Sequence, residues 1–389
     1  MTEELSDYIA QFLAGLEADG YFSDPLWKKA FGAVPRHVFL PSFFLSLPDG
    51  RWQAIDTTHP AYWRMVYSNT TLTTQLDGAV GPDPDDGTLS GTPTSSSTQP
   101  GLMALMLDSL RLSGGELVLE IGTGTGYNAA LLAHRVGARN ITSVEVDPGV
   151  AKLARQRLSS LGDWPSVVTT DGERGWRDNG PYDRLIATVS VPAVPPAWLA
   201  QVRDGGLIVV SLWRDLGGGP LVRLEVNGGS AQGFFLAEAG SFMPVRAANR
   251  VPTALSTALK QTGTSRQTRR PSTVLHHPDA GLWLALRVQS VNWLGFTPDG
   301  GNEQVWLFAP DGSWAVVDDI AGQVEQFGPR ELWNEVETVY DRWREMGAPS
   351  RDRLGLTVTS TGEHRIWLDN PDAVVWNDAS APVAGISAP

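Results

Sequence analysis

The run LVLEIGTGTGYN, residues 117–128, constrains the fold of this chain more than any other feature. Val118, Leu119 and Ile121 form a short apolar run of the kind that builds a buried β-strand. The glycines that follow at alternate positions let the backbone turn tightly and approach a ligand. A helix is expected from about Tyr127, with free N–H groups in its first turn. Strand, turn and helix predict a doubly wound α/β sheet with a nucleotide-like cofactor at the turn, or else a glycine turn without a ligand.

Glycine spacing and acidic residues narrow the choice of cofactor. The dinucleotide fingerprint G-x-G-x-x-G would place its third glycine where Tyr127 stands. The pattern is instead E-x-G-x-G-x-G, starting at Glu120. Glu145 ends the expected strand NITSVEV about 20 residues further on, where such folds place the carboxylate that binds a ribose diol. Asp171 ends a third expected strand, SVVTT, and could accept a hydrogen bond from an adenine amino group.

The E-x-G-x-G-x-G pattern resembles the first motif of the S-adenosylmethionine-dependent methyltransferases, in which the acidic residue helps to anchor the amino-acid end of the cofactor. Three further segments, WKKAFGAVPRHVFLP, STQPGLMALM and FMPV, are similar to segments of the protein-L-isoaspartate O-methyltransferase family. The DG at 171–172, PYDRLIATVSVP and DGGLIVV continue the match over about residues 20–250. The resemblance implies a Rossmann-like methyltransferase fold, S-adenosylmethionine as cofactor and S-adenosylhomocysteine as product.

The resemblance also implies site residues. Thr98 stands at the family's serine that supplies a hydroxyl beside the sulfonium and the acceptor carboxylate, so Thr98 and its neighbour Ser97 are the candidate catalytic residues. The candidate cofactor-binding residues are Thr98, Gln99, Glu120, Gly122, Thr123, Gly124, Gly126, Tyr127, Asn128, Glu145, Val146, Asp171, Gly172 and Thr188. The candidate substrate-binding residues are Ser96, Val189, Ser190, Met243, Pro244 and Val245.

Two departures from the family pattern concern the acceptor. Thr98 keeps the hydroxyl of the family's serine and adds a methyl group. Between Ala61 and Pro100, where the family usually has a short connection, the chain carries a Gly-, Pro-, Ser- and Thr-rich segment that reads as a polar loop. We expect either an active-site loop for an altered acceptor or a plain linker.

The C-terminal part is expected to be an addition to the usual family. Residues 1–250 are predicted to form the catalytic domain, and 251–389 a second, smaller, mainly-β accessory domain that recognises the peptide substrate. A polar, locally basic linker, TALSTALKQTGTSRQTRRPS, precedes short runs of β-formers that begin with TVLHH and GLWLALRVQSVNWLGF. One amphipathic helix is predicted at 329–346. The many Trp residues predict core packing, or a peptide-binding groove.

Composition bounds the partners. A net charge of −13 leaves no basic stripe for phosphate, which disfavours a nucleic-acid substrate. The chain has no Cys, no spaced His cluster and no long apolar run, so we expect a cytoplasmic protein without metal, disulfide or membrane span. The resemblance to the family is compatible with a monomer. Arg266, Arg269 and Arg270 form the one tight basic cluster, expected to be solvated in the linker or to bind an acidic peptide.

Two enzymatic functions compete. The favoured one resembles the family's specialised branch in ribosomal peptide maturation, in graspetide or lanthipeptide systems, where an ordinary aspartate is esterified and closes to an aspartimide or yields isoaspartate. The alternative is general repair of isoaspartyl proteins. A third hypothesis keeps the fold but makes the chain a non-catalytic peptide-binding scaffold. Thr98, the long insertion and the extra domain favour the first.

Overall fold

The computed structural model describes residues 3–80, 88–162, 165–245, 261–297 and 303–378. The chain divides into two compact units. The first comprises Met1–Val189, Pro195–Val210 and Glu225–Gly229, and the second Ser190–Val194, Ser211–Leu224 and Ser230–Pro389. The domain boundary expected at residues 250 and 251 lies outside the described residues.

The N-terminal two thirds of the chain alternates helices and strands. The helices are α1 (Glu3–Ala18), α2 (Pro25–Ala33), α3 (Tyr62–Val66), α4 (Pro100–Ser109), α5 (Tyr127–Val136), α6 (Pro148–Ser159) and α7 (Pro196–Leu199). The strands are β1 (Ser42–Ser46), β2 (Trp52–Asp56), β3 (Leu72–Leu76), β4 (Ala79–Val80), β5 (Thr88–Leu89), β6 (Pro93–Ser97), β7 (Val118–Ile121), β8 (Ile141–Glu145), β9 (Ser166–Thr169), β10 (Tyr182–Val191), β11 (Val202–Leu212), β12 (Leu221–Asn227) and β13 (Ser230–Phe235).

A parallel sheet organises the first unit. Its strands run in the order β9-β8-β7-β10-β11, and β7 pairs in parallel with both β8 and β10. All four residues of β7 and all five of β8 are buried, as expected for strands covered by helices on both faces. The predicted fold class and the strand, turn and helix of residues 117–128 are confirmed. Each parallel strand ends within two residues of its predicted position.

The segment expected to be a polar loop is a β-sheet in its described part. Strands β1 to β6 form a separate antiparallel sheet, in which β3 pairs with β1, β4 and β6. The loop prediction was wrong because threonines, which read as loop residues, are β-branched and here occupy a strand buried along its whole length, Leu72–Leu76. Residues 81–87 of this segment lie outside the described residues.

The second unit is built mainly from antiparallel strands. Its remaining elements are β14 (Thr264–Gln267), α8 (Pro278–Arg287), β15 (Asn292–Phe296), β16 (Gln304–Phe308), β17 (Trp314–Asp318), β18 (Gln323–Phe327), α9 (Leu332–Glu345), β19 (Leu354–Val358), β20 (His364–Leu368) and β21 (Val374–Asp378). One sheet has the order β14-β18-β17-β16-β15, and β13, β19, β20 and β21 pair in that order. The mainly-β character and the helix at 329–346 are confirmed.

Two runs in this unit were predicted as strands, but the structure shows helical segments there. GLWLALR is helix α8 rather than a strand, and TVLHH lies in a 3₁₀ turn at Ser272–His276. The sequence carries the helix signals, because Pro278 occupies the first turn and the His277 ring accepts from the N–H groups of Asp279 and Ala280 at 3.2 Å. Every residue of α8 from Ala280 to Leu286 is buried, which removes the amphipathic periodicity that usually marks a helix.

The arginines of the basic cluster are partly exposed, as expected, and each of them is also ion-paired within the second unit. Arg266 and Arg269 pair with Glu337 at 2.8 and 3.0 Å, and Arg269 and Arg270 pair with Asp341, both acids belonging to helix α9. The Glu337 side chain is fully buried, so it needs such partners. The described part of the expected linker therefore forms strand β14 and a set of ion pairs to the amphipathic helix.

Tryptophans of the second unit are core residues. Trp333 lies in a cluster with Leu284, Leu307 and Val336, and Trp306 packs with Trp314. The buried tryptophans of this unit are Trp283, Trp306, Trp314, Trp333, Trp343, Trp367 and Trp376. The core interpretation is confirmed for them. No helix in the described ranges is long and apolar enough to cross a membrane.

Candidate active site

The glycine turn between β7 and α5 requires glycine for steric as well as conformational reasons. Gly122 has φ +93°, and a Cβ there would lie 2.8 Å from Val189 Cγ1. Gly126 has φ +91° and packs against helix α6, where a Cβ would meet Ala154 and Leu158 at 3.4 Å. Gly124 has φ +52° and faces the Ser96 carbonyl oxygen at 3.5 Å from its virtual Cβ. The turn therefore sits between the end of β10, helix α6 and strand β6.

Glu120 supports this turn from beneath. Its carboxylate is fully buried and accepts hydrogen bonds from Asn128 Nδ2 at 2.7 Å and Ser143 Oγ at 2.5 Å. Ser143 Oγ also lies 2.6 Å from Thr123 Oγ1 in the turn. Burial raises the pKa of Glu120 to about 7, although the Ser143 and Asn128 hydrogen bonds act in the opposite direction. Both carboxylate oxygens of Glu120 thus accept hydrogen bonds from the protein itself. These bonds connect β7, β8, the glycine turn and α5.

Glu145 holds the turn from the end of the neighbouring strand. Its Oε2 accepts from the Gly124 N–H at 2.9 Å and its Oε1 from the Asp147 N–H at 3.1 Å. The next residue, Val146, is 47% exposed, so an apolar side chain follows the carboxylate at the carboxyl end of β8. An exposed apolar residue beside a carboxylate fits a ligand that combines an aromatic base with a diol.

Asp171 and Gly172 follow β9 at the same edge of the sheet. The Asp171 carboxylate begins a 3₁₀ turn by accepting from the Glu173 N–H, and its side chain is 51% exposed. A Cβ at Gly172 would lie 2.6 Å from Ile121 Cγ2, so a glycine is needed for the chain to pass the end of β7. Thr188 closes the other side, since its hydroxyl donates to the Gly122 carbonyl oxygen at 2.6 Å. The predicted cofactor residues of the strand ends therefore surround one turn.

The candidate catalytic hydroxyls lie where β6 ends and α4 begins. Ser97 is buried and its hydroxyl is 3.4 Å from Arg36 Nη2, whereas Thr98 is half-buried and its carbonyl oxygen accepts from the same nitrogen at 3.3 Å. Gln99 is the residue that precedes α4, and its N–H donates to Thr71 Oγ1. Ser96 completes this row, next to Gly124.

The predicted peptide-binding residues of the second unit are paired with one another. Ser190 N–H donates to the Met243 carbonyl oxygen at 3.0 Å, and Val245 N–H donates to the Ser190 carbonyl oxygen at 2.9 Å. Ser190 and Pro244 form a parallel β-bridge. The Ser190 hydroxyl also accepts from the Phe242 N–H at 3.1 Å. FMPV is thus a short segment whose backbone pairs with Ser190, and its role toward a substrate stays a prediction.

Sequence reasoning missed three residues that shape the site. Arg36 lies within the signature run AFGAVPRHVFLP, where a charged residue among mostly apolar ones is the available signal of a buried functional group. Ser143 was a polar residue in an otherwise apolar strand. Gln75, buried in β3, donates to Asp147 Oδ2 at 3.0 Å, and this contact with the start of α6 has no signal in the sequence. No group of three or more His, Cys, Asp or Glu able to hold a metal occurs within the described ranges.

The parallel sheet, the glycine turn and the carboxylates at consecutive strand ends have the arrangement expected of an S-adenosylmethionine-dependent methyltransferase. The family model for "Protein-L-isoaspartate(D-aspartate) O-methyltransferase (PCMT)" matches residues 63–218. The chain is 35% identical to the protein-L-isoaspartate O-methyltransferase of Syntrophotalea carbinolica over 189 residues, 48% of this chain and 70% of that protein. It is 30% identical to that of Ignicoccus hospitalis over 209 residues, 53% of this chain and 82% of that protein. The chain belongs to the protein-L-isoaspartate O-methyltransferase family, whose members are S-adenosylmethionine-dependent carboxyl O-methyltransferases.

One similar solved structure bears on the C-terminal part. A protein-L-isoaspartate O-methyltransferase with 22% sequence identity matches the fold with a TM-score of 0.52, over 93% of this chain and 100% of its own. A match over 93% of this chain includes most residues after 250. The similarity of fold therefore includes much of the region that was predicted to be an addition to the family. The chain spans about half the length of several other curated relatives.

Proposed function

We propose that this protein methylates a carboxylate of an aspartyl-derived residue in a peptide or protein. The observation that carries the proposal is the closeness of the glycine turn to the hydroxyl-bearing strand β6, where Ser96 faces Gly124. A cofactor held at the turn would therefore lie beside the candidate hydroxyls of Ser97 and Thr98. Family membership supports the same reaction class.

The chain's residues fit the expected cofactor. Glu145 and Asp171 would bind the ribose hydroxyls and the adenine amino group, and exposed Val146 would lie against the base. Gly124 leaves space beside the turn, because only the Ser96 carbonyl oxygen and Ser95 Oγ lie within 4 Å of the position of a Cβ there, at 3.5 and 4.0 Å. When bound, S-adenosylmethionine supplies a sulfonium methyl group, to which a carboxylate oxygen forms the new O–C bond while the electrons of the breaking S–C bond stay on sulfur. Glu120 would act on this cofactor through the turn, because both its oxygens accept from the chain.

The acceptor side requires alignment rather than proton removal. A carboxylate is ionised at pH 7 and is already a nucleophile, so no general base is needed. The structure favours Thr98 over Ser97 as the hydroxyl that meets the acceptor, since Ser97 is buried against Arg36 whereas Thr98 is half-buried. Thr98 would donate a hydrogen bond to one carboxylate oxygen and leave the other for methyl transfer.

The first candidate acceptor is an isoaspartyl residue, the substrate class in the name of the family. After esterification, the following backbone nitrogen attacks the ester carbonyl, a C–N bond forms, and methanol leaves with the proton of that nitrogen. The resulting succinimide hydrolyses to aspartate or isoaspartate. The reaction sequence then amounts to repair of aged proteins.

The second candidate acceptor is an ordinary aspartate in a constrained ribosomal peptide, which would give an aspartimide. Two features favour it: Thr98 in place of serine, and the sheet of β3 to β6, which lies against the glycine turn. The second unit, which would recognise the peptide, does not discriminate between the candidates, because a similar fold spans most of this chain in a solved family member.

Substitution of Thr98 tests the reaction. Thr98→Val preserves volume and removes the hydroxyl, and Thr98→Ser is the matched control that restores the family's residue. We expect Thr98→Val to lower kcat/KM for methyl-ester formation about 10- to 100-fold, the range for a lost hydrogen bond to a charged group. Thr98→Ser should retain activity within a factor of about three. Full activity of Thr98→Val would remove Thr98 from the mechanism.

Choice of acceptor distinguishes the candidates. Methyl-ester formation would be measured with two substrates. One is an isoaspartyl hexapeptide, and the other is a constrained aspartyl peptide made by a maturation enzyme encoded near this protein. Turnover of the hexapeptide alone supports repair, and turnover of the constrained peptide alone supports peptide maturation. A chain with no calorimetrically measurable affinity for S-adenosylhomocysteine would instead be the non-catalytic scaffold.

A further inference from the structure

Arg36 is a buried cation next to the acceptor side of the site. Its side chain is fully buried, yet no Asp or Glu carboxylate of the described residues lies within ion-pair distance of it. Its Nε also has no hydrogen-bond partner among the described residues. Burial lowers the pKa of Arg36 to about 10, so the guanidinium is still charged at neutral pH. Buried charges are ordinarily paired, so a buried guanidinium without a carboxylate partner is a candidate for a functional role.

The contacts of Arg36 join two segments that are distant in the chain. Nη1 donates to the carbonyl oxygens of Val66 and Ser68 at 2.8 and 2.9 Å. Nη2 donates to the Thr70 carbonyl oxygen at 3.1 Å and reaches Ser97 Oγ and the Thr98 carbonyl oxygen at 3.4 and 3.3 Å. The planar fork of the guanidinium thus fixes the backbone of Thr98 against the segment that follows α3.

The same guanidinium reaches the cofactor side. Its Cζ lies 6.0 Å from the ring centroid of Tyr127, the first residue of α5. Tyr127 is buried and directly follows Gly126 of the glycine turn. Arg36 therefore touches elements on both sides of the expected line of methyl transfer, with its hydrogen bonds on the acceptor side and an aromatic contact on the cofactor side.

We propose that Arg36 is a positioning residue that holds Thr98 in place and that its unpaired charge favours an anionic acceptor there. This rests on the proposed function, in which a peptide carboxylate reaches Thr98. Carbonyl dipoles stabilise the guanidinium but leave its net charge uncompensated, and such a charge acts over several ångströms in a buried site. The arrangement selects a carboxylate over the isosteric primary amide before any chemistry occurs.

The test compares the binding of two peptides that differ only at the acceptor group, one with the carboxylate and one with a primary amide in its place. Affinities would be measured by calorimetry in the presence of S-adenosylhomocysteine, so that no methyl transfer occurs. For the unsubstituted protein we expect the acid to bind about 10-fold more tightly than the amide. In Arg36→Gln the ratio should fall to about one, and in Arg36→Lys at least half of it should remain.

Arg351→Gln is the matched control. Arg351 is likewise buried and donates to the carbonyl oxygens of Leu236, Pro278 and Gly219, but it belongs to the second unit. This variant should lose thermal stability like Arg36→Gln but keep the acid-to-amide ratio. Retained S-adenosylhomocysteine affinity shows that each variant is folded.

Three outcomes would overturn the assignment: an acid-to-amide ratio of one in the unsubstituted protein, an unchanged ratio in Arg36→Gln, or a lost ratio in Arg351→Gln. If Arg36→Gln does not fold, Arg36→Lys decides: it should keep at least half of the ratio while kcat falls, and an unchanged kcat or a ratio of one would overturn the assignment. Ester formation by the unsubstituted enzyme reports on the proposed function separately. The acid-to-amide affinity ratio can be measured even in a protein that forms no ester. Failure of the proposed function and failure of the role assigned to Arg36 are therefore distinguishable.

Discussion

The two sides of the candidate site are supported by buried groups of opposite type, acidic on one side and basic on the other. Beneath the glycine turn lie the carboxylates of Glu120 and Glu145, and behind Thr98 lies the guanidinium of Arg36. A methyl donor with a sulfonium and an ammonium group is cationic, whereas a carboxylate acceptor is anionic. The difference between the regions therefore matches the difference between the two proposed reactants, since acidic groups lie on the cofactor side and a cation lies on the acceptor side.

The two sides also differ in how the chain builds them. On the cofactor side, the turn follows β7 directly, and the supporting acids stand at strand ends that the parallel sheet aligns. On the acceptor side, Arg36 binds residues that are 30 to 62 positions away in the chain. The first arrangement depends on local backbone geometry, and the second on one long side chain.

The largest expected effect comes from the cofactor side. Gly122→Ala places a Cβ 2.8 Å from Val189 Cγ1 at a φ of +93°. We expect the affinity for S-adenosylhomocysteine to fall by a factor of about 100 or more, and the free energy of unfolding to fall by roughly 2–4 kcal/mol. Calorimetric titration and urea unfolding measure the two quantities.

Gly137→Ala is the matched control, because Gly137 has φ +92° but only Asn140 Nδ2 at 3.8 Å from its virtual Cβ. This variant bears the backbone strain without the clash, so it should lose about 1 kcal/mol of stability and keep its affinity. Equal affinities for the two variants would mean that the turn is not where the cofactor binds.

An intermediate effect is expected from Glu145→Gln. The substitution keeps the shape of the side chain but removes the charge and one of the two acceptors that hold the Gly124 and Asp147 N–H groups. We expect S-adenosylhomocysteine affinity to fall about 10- to 50-fold, measured by calorimetry.

Glu116→Gln is the control for that prediction, since Glu116 likewise accepts from two backbone N–H groups, those of Ser113 and Gly114. Its loss should lower stability and leave the affinity unchanged. An affinity of Glu145→Gln equal to that of the unsubstituted protein would show that negative charge at this strand end does not serve the cofactor.

The cofactor side could be predicted from the sequence because its signals are short-range. Strand, glycine spacing and acids at strand ends follow from local periodicity and from the general geometry of parallel sheets. What the sequence did not indicate is that the Glu120 carboxylate is engaged by Asn128 and Ser143 within the protein. That arrangement depends on the alignment of β7 with β8, which no local pattern encodes.

The acceptor side and the second unit were harder to predict for the same reason. The threonines of β3 read as loop residues until the pairing with β6 buries them. Helix α8 has apolar residues on every face and so has no helical period to detect. The ion pairs of the Arg266 cluster were not predicted because the partners, Glu337 and Asp341, lie about 70 residues further along the chain.

The smallest expected effect concerns the charge of Glu120. Burial raises its pKa from 4.5 to about 7, so between these pH values the folded protein holds a proton that the unfolded chain has released. Stability linked to this group is present below about pH 4.5 and is lost as the pH rises through about 7. We expect the free energy of unfolding to fall as the pH rises across this window, by at most about 1.4 kcal/mol per pH unit, and Glu120→Gln to abolish that slope.

Urea unfolding at pH 5 and pH 7.5 measures the slope, and Glu116→Gln is again the control. The Ser113 and Gly114 N–H groups outweigh the partial burial of Glu116 and hold its pKa below the usual value, so its contribution to stability is fully present above about pH 4.5. Its loss should lower stability equally at both pH values. A slope that persists in Glu120→Gln would show that this carboxylate is already ionised in the free protein, and that the cofactor side carries its negative charge before any cationic ligand binds.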